Sequence, residues 1–377
     1  MKHLRLISVC IVLAAAFHPG ASAGTPRDWM SHRGVHLRST IAGENSLEAV
    51  ELARRAGFTY IETDCRWTAD SVMVIMHDAA LNRTCTYADG TPLGHEKVNV
   101  ADLSFEELRR DYRLKSAVPE RRSVVPTLEE YLLKCASEGF KQVLIEPKLN
   151  DITGVFYQDV IRIADQVLGR DGYLVVSNNF ANAVIRKVLG IKDVRLMGLL
   201  YQTDYETMDA LGNTVFALSS TAFDDSTFRA YMKRTKEEGK TVESASGLNS
   251  KKPQDNFLTY MKLLEYGTQI DMIASDQHAP DFRRAGTTVC RFTARRLEKI
   301  QKRLSGIPEA ELYGIHFEMK YEGRAVVTVG PDEFETWADI YPVARYSRMT
   351  FDSKPQISVT PGEGFKLRRC RVRIEKL

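Results

Sequence analysis

Residues 61–78 read IETDCRWTADSVMVIMHD, an apolar run with acids at alternate positions near its start. Glu62 and Asp64 are two residues apart, and side chains with that spacing on a strand point to the same face. A second apolar run, at residues 72–77, ends at His77-Asp78. The stretch therefore predicts a strand that presents two carboxylates, with a second strand beside it that ends in a histidine.

Short apolar runs of this kind recur along the chain and alternate with helix-period segments. Strands are predicted at residues 29–34, 59–64, 142–148, 173–177, 194–201, 214–219, 240–244 and 270–275, and helices at residues 46–56, 127–138, 156–168, 181–189, 224–238 and 257–266. This alternation implies parallel strands with right-handed crossovers, and eight units over about 250 residues match a (β/α)₈ TIM-type barrel of the α/β class. An open doubly wound sheet would carry a glycine-rich turn after its first strand, and Gly34-Val35-His36 is not one.

The pattern changes after residue 285. Residues 293–304 predict one basic amphipathic helix, and alternating runs follow at residues 313–321, 325–329, 357–359 and 370–374. We therefore expect the barrel to occupy residues 24–285 and a helix plus a small β-rich module to occupy residues 286–377. The module could bind a glycan or an envelope partner. Packing against the barrel is the favoured interpretation, because appended β modules carry no chemistry by default.

The N-terminus has the pattern of a signal peptide. Lys2 and Arg5 precede an apolar core at residues 6–17, and Ala21-Ser22-Ala23 is an A-x-A cleavage site. We expect residues 1–23 to be removed near Ala23 and the protein to be exported, to a periplasm or to the exterior. No later apolar run approaches the roughly 20 residues of a membrane-spanning helix, so no transmembrane segment is expected in the mature chain.

Charge and cysteine content narrow the class of protein further. Loss of Lys2 and Arg5 takes the formal charge from +3 to +1, which does not suggest a nucleic-acid-binding surface. An exported chain is permitted one or two disulfides. The spacing of the remaining cysteines is irregular, however, and buried or half-buried thiols are the expected state of most of them: Cys65, Cys85, Cys135, Cys290 and Cys370.

Five polar residues are predicted at the carboxyl ends of the first three strands, where barrel active sites lie: His32, Glu62, Asp64, Glu146 and Lys148. Glu146 and Lys148 repeat the spacing of Glu62 and Asp64. Three clustered carboxylates repel one another unless a cation lies between them, and an all-oxygen ligand set favours Ca²⁺, Mg²⁺ or Mn²⁺ over Zn²⁺. Histidine is the side chain best suited to exchange protons near neutral pH, so the sequence predicts a metal-assisted hydrolase of phosphate esters.

Several short motifs together resemble the glycerophosphodiester phosphodiesterase family: SHRG at 31–34, ENS at 44–46, the acidic strand, HD at 77–78, LNRT at 81–84 and EPK at 146–148. The resemblance implies a phosphoric diester hydrolase that converts small glycerophosphodiesters into glycerol 3-phosphate and an alcohol. It implies that a divalent cation is held by Glu62, Asp64 and Glu146, and that His32 and His77 are the two catalytic histidines, one acting as acid and the other as base in an order that the sequence does not decide. It also implies phosphate contacts from Arg33 or Lys148. Glu44 and Asn45 are candidate groups behind the metal ligands.

The resemblance is weaker at the last two strands, which leaves the alcohol group of the substrate open. The family commonly has a Trp-Thr-x-Asn-like stretch on strand seven and Thr-Asp-x-Pro after strand eight, whereas this chain has Thr241-Val242-Glu243-Ser244 and Ala274-Ser275-Asp276-Gln277. Glu243 could attract a cationic choline or ethanolamine, but a plain surface or rim acid is the favoured interpretation. Four other histidines are expected to be structural: His36, His95, His278 and His316.

Two alternatives to this function remain. The same site could act on lysophospholipids or on a phosphodiester within an envelope polymer. An apolar surface on residues 79–125, which should border the pocket, would favour a lipid, and a polar one would favour the small diester. The other alternative, a non-catalytic binding barrel, would be marked by loss of a ligand or a histidine, and no such loss occurs.

Overall fold

The computed structural model describes residues 28–36, 41–116, 118–200, 204–219, 225–266, 269–278, 286–351 and 354–377. The predicted signal peptide lies outside these residues. Eight parallel strands form a closed barrel, in which the first strand pairs with both the second and the eighth. In chain order the barrel strands are Asp28–His32, Tyr60–Trp67, Gln142–Pro147, Tyr173–Ser177, Leu196–Leu199, Val215–Ser219, Thr241–Leu248 and Met272–Ser275. The predicted TIM-type barrel is confirmed.

Helices between the strands cover the outside of the barrel: Leu47–Arg55, Leu128–Glu138, Val155–Leu168, Asn179–Ala183, Tyr205–Ala210, Ser226–Glu237 and Pro253–Tyr266. A further helix, Phe105–Asp111, belongs to the segment between the second and third barrel strands. The first turns of the helices follow the sequence closely. Ser46 caps its helix by accepting from Ala49 N, and Thr127 forms a capping box with Glu130. The predicted helix at 181–189 is instead a short α-helix that continues as one π-helical segment, Val184–Val188. The short helix Tyr205–Ala210 was not predicted, because six residues give too few turns for a clear periodicity.

The barrel interior is filled by apolar side chains from alternate strand positions: Met30, Leu144, Leu174, Val176, Met197, Leu199, Val215, Ala217, Met272 and Ala274. A packed interior leaves no room for a ligand within it. Polar side chains continue the same inward-facing rows at the carboxyl ends of the strands, which places the candidate site there.

A short strand, Met73–Ile75, runs antiparallel to the second barrel strand. The hydrogen bond from Met76 N to Asp64 O, 2.9 Å long, holds the end of this hairpin beside the acidic strand. His77 is thereby returned to the carboxyl end of the barrel. The mouth segment, residues 79–125, follows it and contains the small antiparallel pair Cys85–Tyr87 and Tyr112–Leu114.

The C-terminal module contains two antiparallel sheets and one helix, Glu298–Leu304. One sheet has the order Thr287–Ala294, Lys366–Lys376, Tyr313–Glu322, Val343–Thr350, and the other has the order Asp332–Trp337, Arg324–Val329, Ile357–Pro361. The single helix predicted at 293–304 is wrong in its first part. Thr293 and Ala294 pair with Arg371 and Cys370 in the sheet, and this long-range pairing outweighs local helix propensity.

The module packs against the barrel, as the favoured interpretation expected. The ring of Phe334 stacks on Phe257 of the eighth barrel helix with 4.5 Å between centroids. Beside this contact, His278, which follows the eighth barrel strand, lies 2.7 Å through Nε2 from the hydroxyl of Tyr346. Tyr346 is fully buried and belongs to the core of the module. The two parts therefore share buried apolar and polar contacts.

The proton positions in this contact follow from its partners. The Tyr346 hydroxyl donates its one proton to Asp332 Oδ2 at 2.6 Å, so His278 Nε2 carries the proton of the second bond. Burial, together with the nearby Arg348, lowers the pKa of His278 to about 3. His278 is therefore structural, as predicted, and is neutral in the folded protein.

The five described cysteines all carry free thiols, and four of them are buried. Free thiols are what the sequence led us to expect for most of them. Within the described residues, no helix combines the length and apolar character needed to cross a membrane.

We expect His278 to make the protein sensitive to mild acid. Its pKa is depressed in the folded state from an ordinary 6.5, so below that pH the unfolded chain binds a proton that the folded chain does not. Stability should fall by up to about 1.4 kcal/mol per pH unit from this group as the pH drops from 6.5 towards 3. Urea unfolding at pH 6.5, 5.5 and 4.5 should give a shallower loss for His278→Gln.

The matched control for this experiment is His95→Gln, because His95 is exposed. The His95→Gln chain should lose as much stability on acidification as the unmodified chain does. Equal slopes for the unmodified chain and the His278→Gln chain would contradict the assignment of a neutral, buried His278.

Candidate active site

Three carboxylates meet at the carboxyl ends of the second and third barrel strands. Asp64 and Glu146 are register partners on these strands, and Glu62 lies two residues before Asp64. One oxygen from each of the three lies within 4.8 Å of the others. Glu62 and Asp64 are buried, while Glu146 is partly exposed. The predicted cluster of acids is therefore present in the structure.

The chemistry of this cluster fits a divalent cation. Glu62 Oε1 is buried and has no hydrogen-bond partner among the described residues. Burial and the neighbouring Asp64 raise the pKa of Glu62 well above its usual range, which means that the two charges are not compensated by the protein alone. A hard cation with oxygen ligands would supply the missing charge.

Two basic side chains approach the acids from neighbouring strands. Arg33 Nε lies 3.2 Å from Asp64 Oδ2. Lys148 Nζ lies 3.2 Å from Asp64 Oδ1 and 2.6 Å from Glu146 Oε1. Both cations therefore border the carboxylate cluster.

His32 ends the first barrel strand and is held by a carboxylate. Its Nδ1 lies 2.7 Å from Asp276 Oδ1, and its Nε2 lies 3.9 Å from Glu62 Oε2. Burial alone would lower the pKa of His32, but Asp276 and then Glu62 outweigh it and raise the pKa to about 9. The ring is therefore protonated near neutral pH, and it has a proton to give.

His77 has the opposite electrostatic surroundings. Burial lowers its pKa, and the positive charges of Arg33 and Lys148 act in the same direction. Its Nδ1 donates to Asp78 Oδ1 at 2.6 Å, which leaves the lone pair of Nε2 available. Arg83 Nε in turn holds Asp78 Oδ2 at 2.6 Å. His77 is therefore a neutral ring that is oriented to accept a proton.

Asn45 and Glu44 bind the acidic and the basic groups of the site, respectively. Asn45 Nδ2 donates to Asp64 Oδ2 at 3.1 Å, and Asn45 Oδ1 accepts from the hydroxyl of Thr63 at 3.0 Å. Glu44 binds Arg33 at 3.0 Å and also binds Arg83. Arg33 and Asn45 both have a φ of 61°, a left-handed conformation that costs free energy in residues other than glycine and is concentrated at functional sites.

Sequence reasoning missed the part of Asp276 in this site. Asp276 follows the eighth barrel strand, and burial is outweighed by His32, which lowers the pKa of the Asp276 carboxyl. The sequence offered two signals: its place at the end of a predicted strand, and its match to the aspartate of the family's Thr-Asp-x-Pro stretch. The closure of the barrel, which makes the first and eighth strands neighbours, brings Asp276 to His32.

The expectation that Glu243 is a surface or rim acid is wrong. Glu243 has no exposed surface, and neither of its oxygens has a hydrogen-bond partner among the described residues. The seventh barrel strand extends to Leu248, so Glu243 lies within the strand rather than at its end. Its register partners Ala217 and Met272 both fill the barrel interior. Burial raises the pKa of Glu243 to about 8.

The remaining histidines lie outside the acidic cluster. His36 Nε2 is 3.8 Å from Glu44 Oε2, His95 is exposed, and His316 belongs to the C-terminal module. All nine residues proposed from the sequence as site residues are linked by the contacts described above: His32, Arg33, Glu44, Asn45, Glu62, Asp64, His77, Glu146 and Lys148.

Comparisons with known proteins point to one family. Residues 32–242 match the model of the glycerophosphoryl diester phosphodiesterase family. Glycerophosphodiester phosphodiesterase 1 of Bos taurus is 33% identical over 164 residues, which are 36% of this chain and 45% of that protein. The chain therefore matches less than half the length of this relative.

Solved structures show the same fold. A glycerophosphoryl diester phosphodiesterase of Parabacteroides distasonis is 20% identical with a TM-score of 0.52, covering 66% of this chain and 82% of its own. A phosphodiesterase of Oleispira antarctica, solved in complex with the product sn-glycerol-3-phosphate, is 19% identical with a TM-score of 0.51, covering 66% of this chain and 92% of its own.

We expect Asp64→Asn to abolish tight binding of a divalent cation. The substitution removes the charge of the most buried carboxylate of the cluster and keeps its shape. Calorimetric titration of the metal-free chain with Mg²⁺, Ca²⁺ and Mn²⁺ measures the effect. Asp159→Asn, which changes an exposed acid on a helix, is the control and should bind as the unmodified chain does. Unchanged binding by Asp64→Asn would contradict the predicted metal site.

Proposed function

The chain belongs to the glycerophosphoryl diester phosphodiesterase family, and we propose that it hydrolyses glycerophosphodiesters to glycerol 3-phosphate and an alcohol. One observation carries the proposal. Two histidines with opposite shifts of pKa border a cluster of three carboxylates that fits a cation. A pair of titratable groups whose surroundings push their pKa values apart is the arrangement that assigns one proton donor and one acceptor. The product named for the Oleispira antarctica structure agrees with this reaction.

We assign the base to His77 and the acid to His32. His77 Nε2 would take the proton of the nucleophile, which is water or the neighbouring glycerol hydroxyl, while Asp78 holds the ring through Nδ1. His32 would give its proton to the departing alkoxide, and Asp276 keeps that ring charged beforehand. Each of these two proton transfers is general acid–base catalysis by a histidine ring.

The charged groups beside the histidines would bind the phosphate. Glu62, Asp64 and Glu146 would hold a divalent cation, which would supply Lewis-acid stabilisation of the developing charge. Arg33 presents a planar guanidinium, which suits two oxygens of one phosphate, and Lys148 adds a second positive charge. Both side chains contact Asp64, so they lie beside the carboxylates that would hold the cation.

The mouth segment favours a small, polar substrate. Its apolar side chains pack into a cluster of their own, which includes Leu81, Val100, Leu108 and Leu114. Among its described residues, Tyr87 is the one large apolar side chain that is exposed. A lipid chain would therefore find little apolar surface on this side of the site.

One observation favours a lysophospholipid as a second candidate substrate. Leu149, Ile152 and Val155 are exposed, and they lie in the segment that directly follows Lys148. Apolar side chains exposed this close to a site can contact an acyl chain or a bilayer. This makes the segment at 149–155 the place where the two substrates would be distinguished.

Export remains a proposal that rests on the pattern of residues 1–23. The protein recovered from the cell exterior or periplasm should begin near Gly24, as N-terminal sequencing would show.

We expect His32→Ala and His77→Ala each to lower kcat on glycerophosphoethanolamine by about 10²–10⁴-fold, the usual contribution of a general acid or base. Removal of metal should stop the reaction in the unmodified chain. Release of glycerol 3-phosphate measures activity, and His95→Ala is the matched control, because it removes an exposed histidine far from the carboxylates. Full activity of both site variants would reject the proposed mechanism.

A paired assay distinguishes the two substrates. If the small diester is the substrate, the protein should cleave glycerophosphoethanolamine faster than lysophosphatidylethanolamine, and Ile152→Ser should leave both rates unchanged. If the lysophospholipid is preferred, Ile152→Ser should raise KM for it alone, because the lost side chain contacts only the acyl chain.

A further inference from the structure

The four-stranded sheet of the C-terminal module has one buried and one outward face. A groove of about 460 Å³ lies along the outward face. The polar and charged side chains that line this groove are Arg291, Thr293, His316, Glu318, Arg345, Ser347, Arg371 and Arg373. Four guanidinium groups and one carboxylate therefore share the space, which we call the arginine groove.

Ion pairing within the sheet does not neutralise this face. Glu318 Oε2 lies 3.3 Å from Arg345 Nε, and Glu318 Oε1 lies 3.5 Å from Arg371 Nη1 and 3.3 Å from Arg369 Nη2. One carboxylate is thus the ion-pair partner of three arginines. These three side chains are each between 40% and 55% exposed, so they remain accessible from solvent.

Arg291 adds a further positive charge. It is exposed, and no ion pair to it is found in the described part of the chain. Its direct register partner on the next strand is Arg373, which in turn pairs with the buried Glu375 at 3.1 Å. Like charges opposite each other destabilise a sheet, so packing alone gives no reason for this arrangement.

The composition of the C-terminal module is also biased towards positive charge. Residues 286–377 contain 17 lysines and arginines against 12 aspartates and glutamates. Lys320 and Arg295 border a second groove together with Arg369. A positive surface of this kind raises the local concentration of anions.

We propose that the arginine groove binds the phosphate group of an organic phosphate ester. Guanidinium forks match phosphate oxygens in geometry and form charge-assisted hydrogen bonds with them. The hydroxyl of Thr293 lies on the same face and offers a further donor, whereas the Ser347 hydroxyl is already hydrogen-bonded to His316 Nδ1 at 2.7 Å. Among the lining arginines, Arg345 and Arg371 share Glu318 and Arg373 pairs with Glu375, so a doubly charged phosphate would neutralise the two charges that remain when Arg291 is included.

The size and shape of the groove favour a discrete ligand over a flat surface. Its volume falls in the range of small-molecule sites, about 300–1,000 Å³. It is concave, and the rest of its lining is supplied by Tyr260, Phe292, Phe317 and Val372, none of which is among the exposed large apolar residues. The site is separate from the carboxylate cluster of the barrel, so the proposal does not depend on the proposed hydrolysis.

Calorimetric titration of the metal-free full-length chain with inorganic phosphate tests the proposal. One phosphate should bind per chain at the groove, and Arg291→Gln and Arg371→Gln should each weaken binding by at least about tenfold, as the loss of a charge-assisted hydrogen bond requires. Glu318→Gln should tighten binding, because it removes the carboxylate that competes for the arginines. Arg324→Gln removes an exposed arginine from the other sheet of the module and should change nothing.

A Lys148→Gln chain separates this site from the barrel, because it lacks the lysine of the carboxylate cluster and should still bind phosphate. Binding that is lost in Lys148→Gln and retained in Arg371→Gln would overturn the proposal, as would the absence of any binding. Thermal unfolding of each variant confirms that the fold is kept.

The source of the phosphate is decided by sedimentation with vesicles of phosphatidic acid and, as a control, phosphatidylcholine. Sedimentation with phosphatidic acid alone, reversed by inorganic phosphate and by Arg371→Gln, would support the groove and identify a lipid headgroup. A chain that binds inorganic phosphate and stays in solution would support it and identify a free ester. Equal sedimentation of the unmodified and Arg371→Gln chains with phosphatidic acid would contradict the groove as the anion site.

Discussion

Asp64 has no exposed surface, and its carboxylate is reached from three directions by Arg33, Lys148 and Asn45. A buried carboxylate without such partners would be strongly destabilising. Arg33 and Asn45 lie between the first barrel strand and its helix, and Lys148 follows the third strand, so parallel pairing of the first three strands brings all three to Asp64. The order of these strands therefore determines which groups compensate the charge of Asp64.

The charges around each ring give the two histidines different properties, although both rings have an aspartate on Nδ1. Asp276 pairs with a ring that is also near Glu62, and the combined negative charge keeps His32 protonated. Asp78 pairs with a ring that lies near Arg33 and Lys148, and its own charge is already engaged by Arg83. The same type of contact, a carboxylate on Nδ1, thus produces a donor in one place and an acceptor in the other.

The sequence predicted those features that depend on neighbours along the chain. The alternation of strand residues placed Glu62 and Asp64 on one face, and the same spacing placed Glu146 and Lys148 beside them. Features that depend on distant pairing were missed. Asp276 reaches His32 across 244 residues, Glu243 is buried between Ala217 and Met272 of the neighbouring strands, and Thr293 pairs with Arg371 in a sheet. In each case the deciding partner is remote in sequence, so no local pattern could reveal it.

The contact between His278, Tyr346 and Asp332 joins the eighth barrel strand to the C-terminal module, and Phe257 is covered by Phe334 at the same place. The barrel therefore receives the module at its last helix and just after its last strand, through one apolar and one polar side chain. Loss of Phe257 or His278 would leave buried groups of the module without their partners, so the barrel supplies part of the core on which the module's own stability depends.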